Sequence, residues 1–153
     1  MSATTSPASP TPPAPSALPR WDMTPIYPSL DAPAFTQAFA QVTTDLDVLS
    51  ALFDELRIER REPNDTNDDA ATTSAAERAI EQMNAVFAHY RLVSAYIFSF
   101  VATNSRDTLA LARQSELQRQ GVRLGQLRTR FTAWVGSLGS ATLERLIAQS
   151  TLC

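Results

Sequence analysis

The chain is predicted to fold as an all-α protein, and three features of its sequence say so. Proline is segregated, with nine of the ten prolines before position 34 and the last at Pro63. The run beyond Pro63 is rich in Ala, Leu, Arg, Gln and Glu, the residues that lose least on entering a helix. Apolar residues recur at steps of three and four over long stretches, the period of a helix with one face on a core. With 153 residues, 44% hydrophobic and 19% charged, the chain is long enough to enclose a core of its own. We expect an antiparallel array of three long helices and a short fourth, preceded by an extended aromatic strap and a tail.

Residues 1–19 are almost wholly Ser, Thr, Ala and Pro. They carry too little apolar surface to offset the entropy of ordering, and are predicted to form a disordered tail. Their acid-free composition lacks the arginine of a transit peptide, and no apolar signal-peptide core is present. The next segment, Arg20 to Leu30, sets Trp21, Ile26 and Tyr27 among two prolines and Asp22. Pro25 and Pro28 rule out a helix and favour extended backbone before each. The expectation is a strap whose large apolar side chains press onto the helical body.

Helix one is predicted over about 31–62, capped by Asp31, with proline in its first turn. Its stripe is Phe35, Phe39, Val42, Leu46, Leu49, Phe53 and Leu56, and Glu62-Pro63 ends it. Arg57, Arg60 and Arg61 then fall where a helix macrodipole favours cations. Asn64 to Thr73 reads as a polar turn. Its aspartates do not make a calcium loop, because the sixth and twelfth positions from Asp65 are Ala70 and Ala76.

Helix two, about 74–103, opens on Ser74 and Glu77 in capping-box spacing. It is the element around which the others are expected to pack. Ile80, Met83, Phe87, Tyr90, Ser94, Ile97 and Val101 form its stripe, which Val86, Val93, Tyr96 and Phe100 widen. Asn104 to Asp107 supplies a short turn and an N-cap. Helix three, about 106–135, carries Leu109, Ala112, Leu117, Leu124, Leu127, Phe131 and Trp134. Gly121 and Gly125 each weaken it by ~1 kcal/mol relative to Ala, and close approach by a neighbouring helix is their expected use. Gly136 and Gly139 punctuate its end. A fourth helix, about 140–151, is still apolar where the sequence stops, which reads as an interruption.

Chemistry is sparse. There is one histidine, His89, and one cysteine, Cys153, so the sequence lacks the clustered His, Cys and carboxylate ligands of a zinc site. Ser94 and Ser99 have no orienting base, and no Gly-rich phosphate loop exists. The net charge of −3 argues against nucleic acid as a partner. No window reaches the ~18 apolar residues of a membrane span, so no membrane partner is expected. A lone cysteine and the absence of a leader make the cytoplasm the expected location.

The strap carries a resemblance. W-D-M-T-P-I-Y-P-S-L-D-A-P-A-F, Trp21 to Phe35, resembles the opening segment of the oligoendopeptidase F family, thimet-oligopeptidase-like zinc metallopeptidases. Trp21, Asp22, Ile26, Tyr27, Ser29, Asp31 and Phe35 fit that opening, with Met23 in place of Leu. Tyr90, Leu92, Ser94, Ala95 and Tyr96 are similar to the family's following helical core, and Phe131 to Trp134 to the helix after it. The resemblance implies a helical zinc endopeptidase that cuts short peptides in an enclosed channel. Residues 20–153 would be its N-terminal lobe, part of the channel wall, in a truncated or partial chain. The family's zinc is held by H-E-x-x-H and a downstream Glu, none of which occurs here, so no catalytic or metal residue carries over and this chain would bind no zinc and be inactive alone. Its partners would be the missing C-terminal catalytic domain in cis and, in the complete protein, an oligopeptide substrate. Trp21, Asp22, Ile26, Tyr27, Phe35, Tyr90, Tyr96 and Trp134 are then structural anchors. The alternative is a stand-alone, non-catalytic helical bundle that binds a protein partner.

Overall fold

A computed structural model of the chain describes residues 22–62 and 69–149, with side chains from position 70 to 148 in the second stretch. The predicted tail, Trp21 and Cys153 lie outside the described residues. The protein is all-α: α1 spans Pro33–Glu55, α2 Asp69–Thr103, α3 Thr108–Ser137 and α4 Ser140–Gln149, with no strand among the described residues. α1, α2 and α3 pack on one another in pairs, and α4 lies against α2.

Helix α1 holds the predicted stripe. Phe35, Val42, Leu46, Leu49 and Phe53 are buried, while Phe39 and Leu56 pack at the edge of the core. Both of its ends differ from expectation. Asp31 does not cap it; the N-cap is Ala32, with extended backbone and no side-chain cap. Pro33 forces that outcome, because the residue before a proline is driven out of the helical region and becomes the boundary. Asp31 falls one position too early and instead accepts a hydrogen bond from the Ser29 hydroxyl at 2.6 Å.

At the other end α1 stops at Glu55, six residues before Arg61. The Arg57 N–H donates to the Asp54 carbonyl and the Ile58 N–H to the Phe53 carbonyl, the paired closure of a Schellman motif. Arg57 takes the left-handed conformation this requires, with φ 52°. The closure turns Ile58 inward, where it is fully buried in the same core as Phe53. The three arginines therefore lie beyond the helix rather than on its last turn. Arg61 serves as a strut: its backbone N–H donates to Ser137 Oγ at 3.0 Å, and its guanidinium sits 5.7 Å from the Trp134 ring centroid. A left-handed non-glycine residue costs ~1–2 kcal/mol. Arg57→Gly is expected to raise the stability by ~0.5–1 kcal/mol in urea denaturation; a lower midpoint would contradict the closure.

Helix α2 begins at Asp69, so Ser74 and Glu77 lie within it and form no capping box at its start. Nothing in D-A-A-T-T-S-A-A interrupts a helix, and Thr72, Ala75, Ala76 and Ala79 give the extra turns a buried edge. The buried face of α2 is also turned from the predicted stripe. Ala79, Val86, Val93, Tyr96 and Ile97 are buried, while Met83, Phe87, Tyr90 and Val101 are only half-buried. An apolar helix with alanines and aromatics on most sides gives periodicity little power to pick the inward face.

Nor is α2 covered on all sides. An 18-residue window of it averages a hydropathy of 1.4, with 22% of the window buried. By length and composition alone α2 is long and apolar enough to cross a membrane, contrary to the expectation that no window would be. Arg91, His89, serines and tyrosines break up the runs without lowering the mean far. The core helix of a bundle passes the same test, and α2 contributes Val93, Tyr96 and Ile97 to such a core.

Helix α3 is capped as expected, Asp107 accepting the Ala110 N–H at 2.9 Å. It starts and ends two residues later than predicted, running through Gly136 to Ser137. Leu117, Leu124, Leu127 and Trp134 are buried, but Ala110 replaces Leu109 and Ala112 in the core. The two glycines separate. A Cβ built on Gly121 would lie 2.5 Å from the Tyr90 hydroxyl, whereas one on Gly125 meets nothing within 4 Å. Close approach thus explains Gly121 and not Gly125. Gly125→Ala should stabilise by ~1 kcal/mol through helix propensity. Gly121→Ala should lose that gain by displacing the Tyr90 ring, and paired thermal melts read the difference.

Candidate functional site

Two features stand out: the anchoring of the strap, and a groove between α2 and α3. The first described residue of the strap is Asp22, whose exposed carboxylate accepts the Thr24 hydroxyl at 2.6 Å and the Thr24 N–H at 3.0 Å. Those hydrogen bonds, the hydroxyl's first, hold the Asp22 carboxyl below the usual carboxylate range. The Ile26 N–H then closes a turn on the Met23 carbonyl at 3.0 Å, so backbone predicted as extended here is folded back.

That turn settles which side chains anchor. Ile26 points outward and is 45% exposed, contrary to its expected role, while Leu30 is buried and Met23 and Tyr27 pack against the core. Tyr27 lies edge-on to Tyr96 at 5.0 Å and to Phe35 at 5.6 Å between ring centroids, and Phe35 contacts Tyr96 at 5.3 Å. The Tyr96 hydroxyl, on a buried residue, donates to the Tyr27 carbonyl at 2.8 Å. Three of the eight predicted anchors thus meet in one cluster. Tyr90 packs elsewhere, against Gly121, and Trp134 sits at the far end of the bundle beside Phe131.

Burial raises the Tyr96 pKa above its ordinary value, with the neighbouring Tyr27 adding to the effect, and burial raises that of Tyr90. The neutral phenols are therefore favoured in the folded state. Their contribution to stability is fully present below pH ~10, where an unfolded tyrosine ionises, and is lost as pH rises through the higher folded-state values. Urea midpoints should fall above pH ~10 and fall less in Tyr96→Phe. At neutral pH that variant should be weaker by ~0.5–1.5 kcal/mol for the lost hydrogen bond; a pH dependence equal to the parent's would contradict the assignment.

His89 Nδ1 meets Asp45 Oδ2 at 2.6 Å, a half-buried pair joining α1 and α2 that sequence periodicity did not reveal. Among the described residues no three His, Cys, Asp or Glu side chains are grouped so as to hold a metal ion, so zinc has no ligand set there. Three ion pairs tie helices together: Arg123 pairs with Asp47, Arg78 with Glu55, and Arg130 with Asp54 at 2.6 Å. Arg130 Nε also donates to the Ile58 carbonyl at 2.6 Å, fixing the turn after α1 to α3.

The groove holds about 260 Å³ and is lined by Tyr90, Ser94 and Ile97 of α2 and by Gln114, Leu117 and Gln118 of α3. It is open rather than enclosed, and its polar groups are amides and hydroxyls without a strong acid, base or nucleophile. No protein-family model, curated protein or solved structure matches the chain.

Proposed function

We propose that this chain is the non-catalytic helical lobe of a cytoplasmic, zinc-dependent oligoendopeptidase of the oligoendopeptidase F type. In this reading it forms part of the wall of a peptide channel, and the zinc and the catalytic residues belong to a further domain. One observation carries the reading: the two stretches that resemble the family touch each other. The strap at Tyr27 and Phe35 packs on Tyr96, and the Tyr96 hydroxyl holds the Tyr27 backbone. A strap that merely shared composition with the family's opening would have no reason to seat on the helical segment that shares the second likeness. The reading frame beyond codon 153 tests it. An in-frame H-E-x-x-H, with zinc-dependent cleavage of a fluorogenic oligopeptide by the joined chain, is the expected result. An immediate stop codon in the native transcript would overturn it.

A second reading, a stand-alone bundle that binds a protein partner, is favoured by a different observation. Phe35, Leu46, Leu49, Phe53 and Trp134 are completely enclosed by this chain's own helices. It predicts a cooperative thermal unfolding transition and a discrete species in size-exclusion chromatography for the chain alone.

A further inference from the structure

The side of α2 turned away from the core carries a repeat that the bundle does not use. Val86, Val93 and Ile97 mark the inward face, and all three are buried. About half a revolution away, Glu81, Ala85, Ala88, Leu92, Ala95, Ser99 and Ala102 follow one another at steps of four and three without a fault. All are exposed except Ser99, which is half-buried. Phe98, 60% exposed, and Arg91 border the same seam. This is the a/d spacing of a coiled coil, set on the outside of a bundle helix. Ser99 does not break it, because its hydroxyl is taken up by the Tyr96 carbonyl at 2.7 Å. Apolar residues exposed singly elsewhere, such as Val48 and Ile147, need no partner. The seam differs in being continuous, on a helix whose most apolar window averages a hydropathy of 1.4 and is only 22% buried.

Its residues also say what covers it. From Ala85 to Ala102 the seam positions hold no charge, so they are complementary to another uncharged seam. Laid antiparallel on a second copy, with a opposite d, the seam sets Ala85 against Ala102, Ala88 against Ser99 and Leu92 against Ala95, a large residue facing a small one in the central layer. The same register brings Glu81 toward Arg106, just past the end of α2, and Arg91 beside the Phe98 ring. Glu81, Arg91 and Arg106 have no side-chain partner among the described residues. A parallel pair would instead set Glu81 on Glu81 and Leu92 on Leu92, with the alanine layers held apart.

We propose that α2 pairs antiparallel with α2 of a second copy through this seam, forming an isologous dimer in which Leu92 and Phe98 leave water. The assignment does not depend on the peptidase reading, because it uses neither the strap nor a further domain of this protein.

Sedimentation velocity of the full chain over a range of concentrations, under reducing conditions because of Cys153, provides the test. A reversible monomer–dimer equilibrium is the expected result. Leu92→Glu and Ala88→Glu lie at exposed positions and enter the interface twice, so each should weaken the dimer at least about tenfold while thermal unfolding stays cooperative. Val48→Glu, at an exposed apolar site on α1, should leave it unchanged. Glu81→Arg should weaken it roughly three- to tenfold, and adding Arg106→Glu should restore it. A chain that stays monomeric at every concentration, or a dimer that Leu92→Glu leaves intact, would overturn the proposal. A double charge swap no tighter than Glu81→Arg alone would overturn the antiparallel register. Capture of a monomeric chain by phosphatidylcholine vesicles, lost in Leu92→Glu, would overturn the dimer in favour of a lipid surface.

Discussion

Phe35→Ala is expected to lower the stability of the protein by ~3–5 kcal/mol, the range for removing a fully enclosed phenylalanine. Phe35 is completely buried and is the ring on which the strap and two helices converge, in contact with Tyr27, Phe39 and Tyr96. Its loss removes transfer free energy and leaves a cavity that neighbouring aromatic rings, rigid and already edge-packed, cannot collapse to fill. The strap should then detach before the bundle melts, because Tyr27 loses one of its two ring partners and is left with Tyr96 alone, through its ring and its hydroxyl. Limited proteolysis should cut at Met23 to Tyr27 in Phe35→Ala under conditions where the parent is resistant. Phe35→Leu, which keeps most of the volume, should cost less than about 2 kcal/mol. A Phe35→Ala protein with parental stability would show that the strap cluster contributes nothing.

Trp134→Ala should have a comparable effect at the opposite end. Trp134 is fully buried, packs on Phe131 at 5.7 Å, and lies under the Arg61 guanidinium that links the turn after α1 to the end of α3. Removing the indole should cost ~3–5 kcal/mol and release the Arg61 strut. Against a total stability of ~5–15 kcal/mol, either alanine variant could leave a large unfolded fraction at 37 °C. The indole Nε1, however, is buried with no hydrogen-bond partner, a state that itself costs ~1–3 kcal/mol. Trp134→Phe keeps the aromatic contact and removes the orphan donor, so its loss should be less than half that of alanine. Equal losses in the two variants, read from urea denaturation, would contradict this account of the site.

The parts of the fold that could be read in the sequence are those where physics leaves one option. In α1, Val48 and Leu52 are the only large apolar residues outside the stripe, so the period from Phe35 to Phe53 selects one face. The turn at Asn104 to Asp107 carries its own capping chemistry and was equally plain. α2 was the opposite case. With Val, Ile, Phe, Tyr and Ala on most sides, its inward face is decided by which neighbours reach it, a property of the assembled bundle.

The end of α1 was misread because a left-handed residue is signalled by glycine and here is Arg57. A usable signal was present: Phe53 and Ile58, five apart across the break, are the hydrophobic pair that accompanies such a closure. Of the strap's expected anchors, Tyr27 packs on the core and Ile26 does not. Ile26 lies outside and Met23 and Leu30 inside, since the turn closed by the Ile26 N–H on the Met23 carbonyl changes the direction in which alternate side chains point. Phe98 and Val122 fall outside the stripes read for the second and third helices, and both are exposed.

The account rests on a strap held to a helical bundle through Tyr27, Phe35 and Tyr96, and proton nuclear Overhauser spectroscopy of the full chain measures that contact. With ring centroids 5.0 and 5.6 Å apart, cross-peaks are expected from the Tyr27 ring protons to those of both Tyr96 and Phe35. If Phe35 and Tyr96 show cross-peaks to each other and Tyr27 shows none to either, the bundle stands without the strap and the proposed role loses its support.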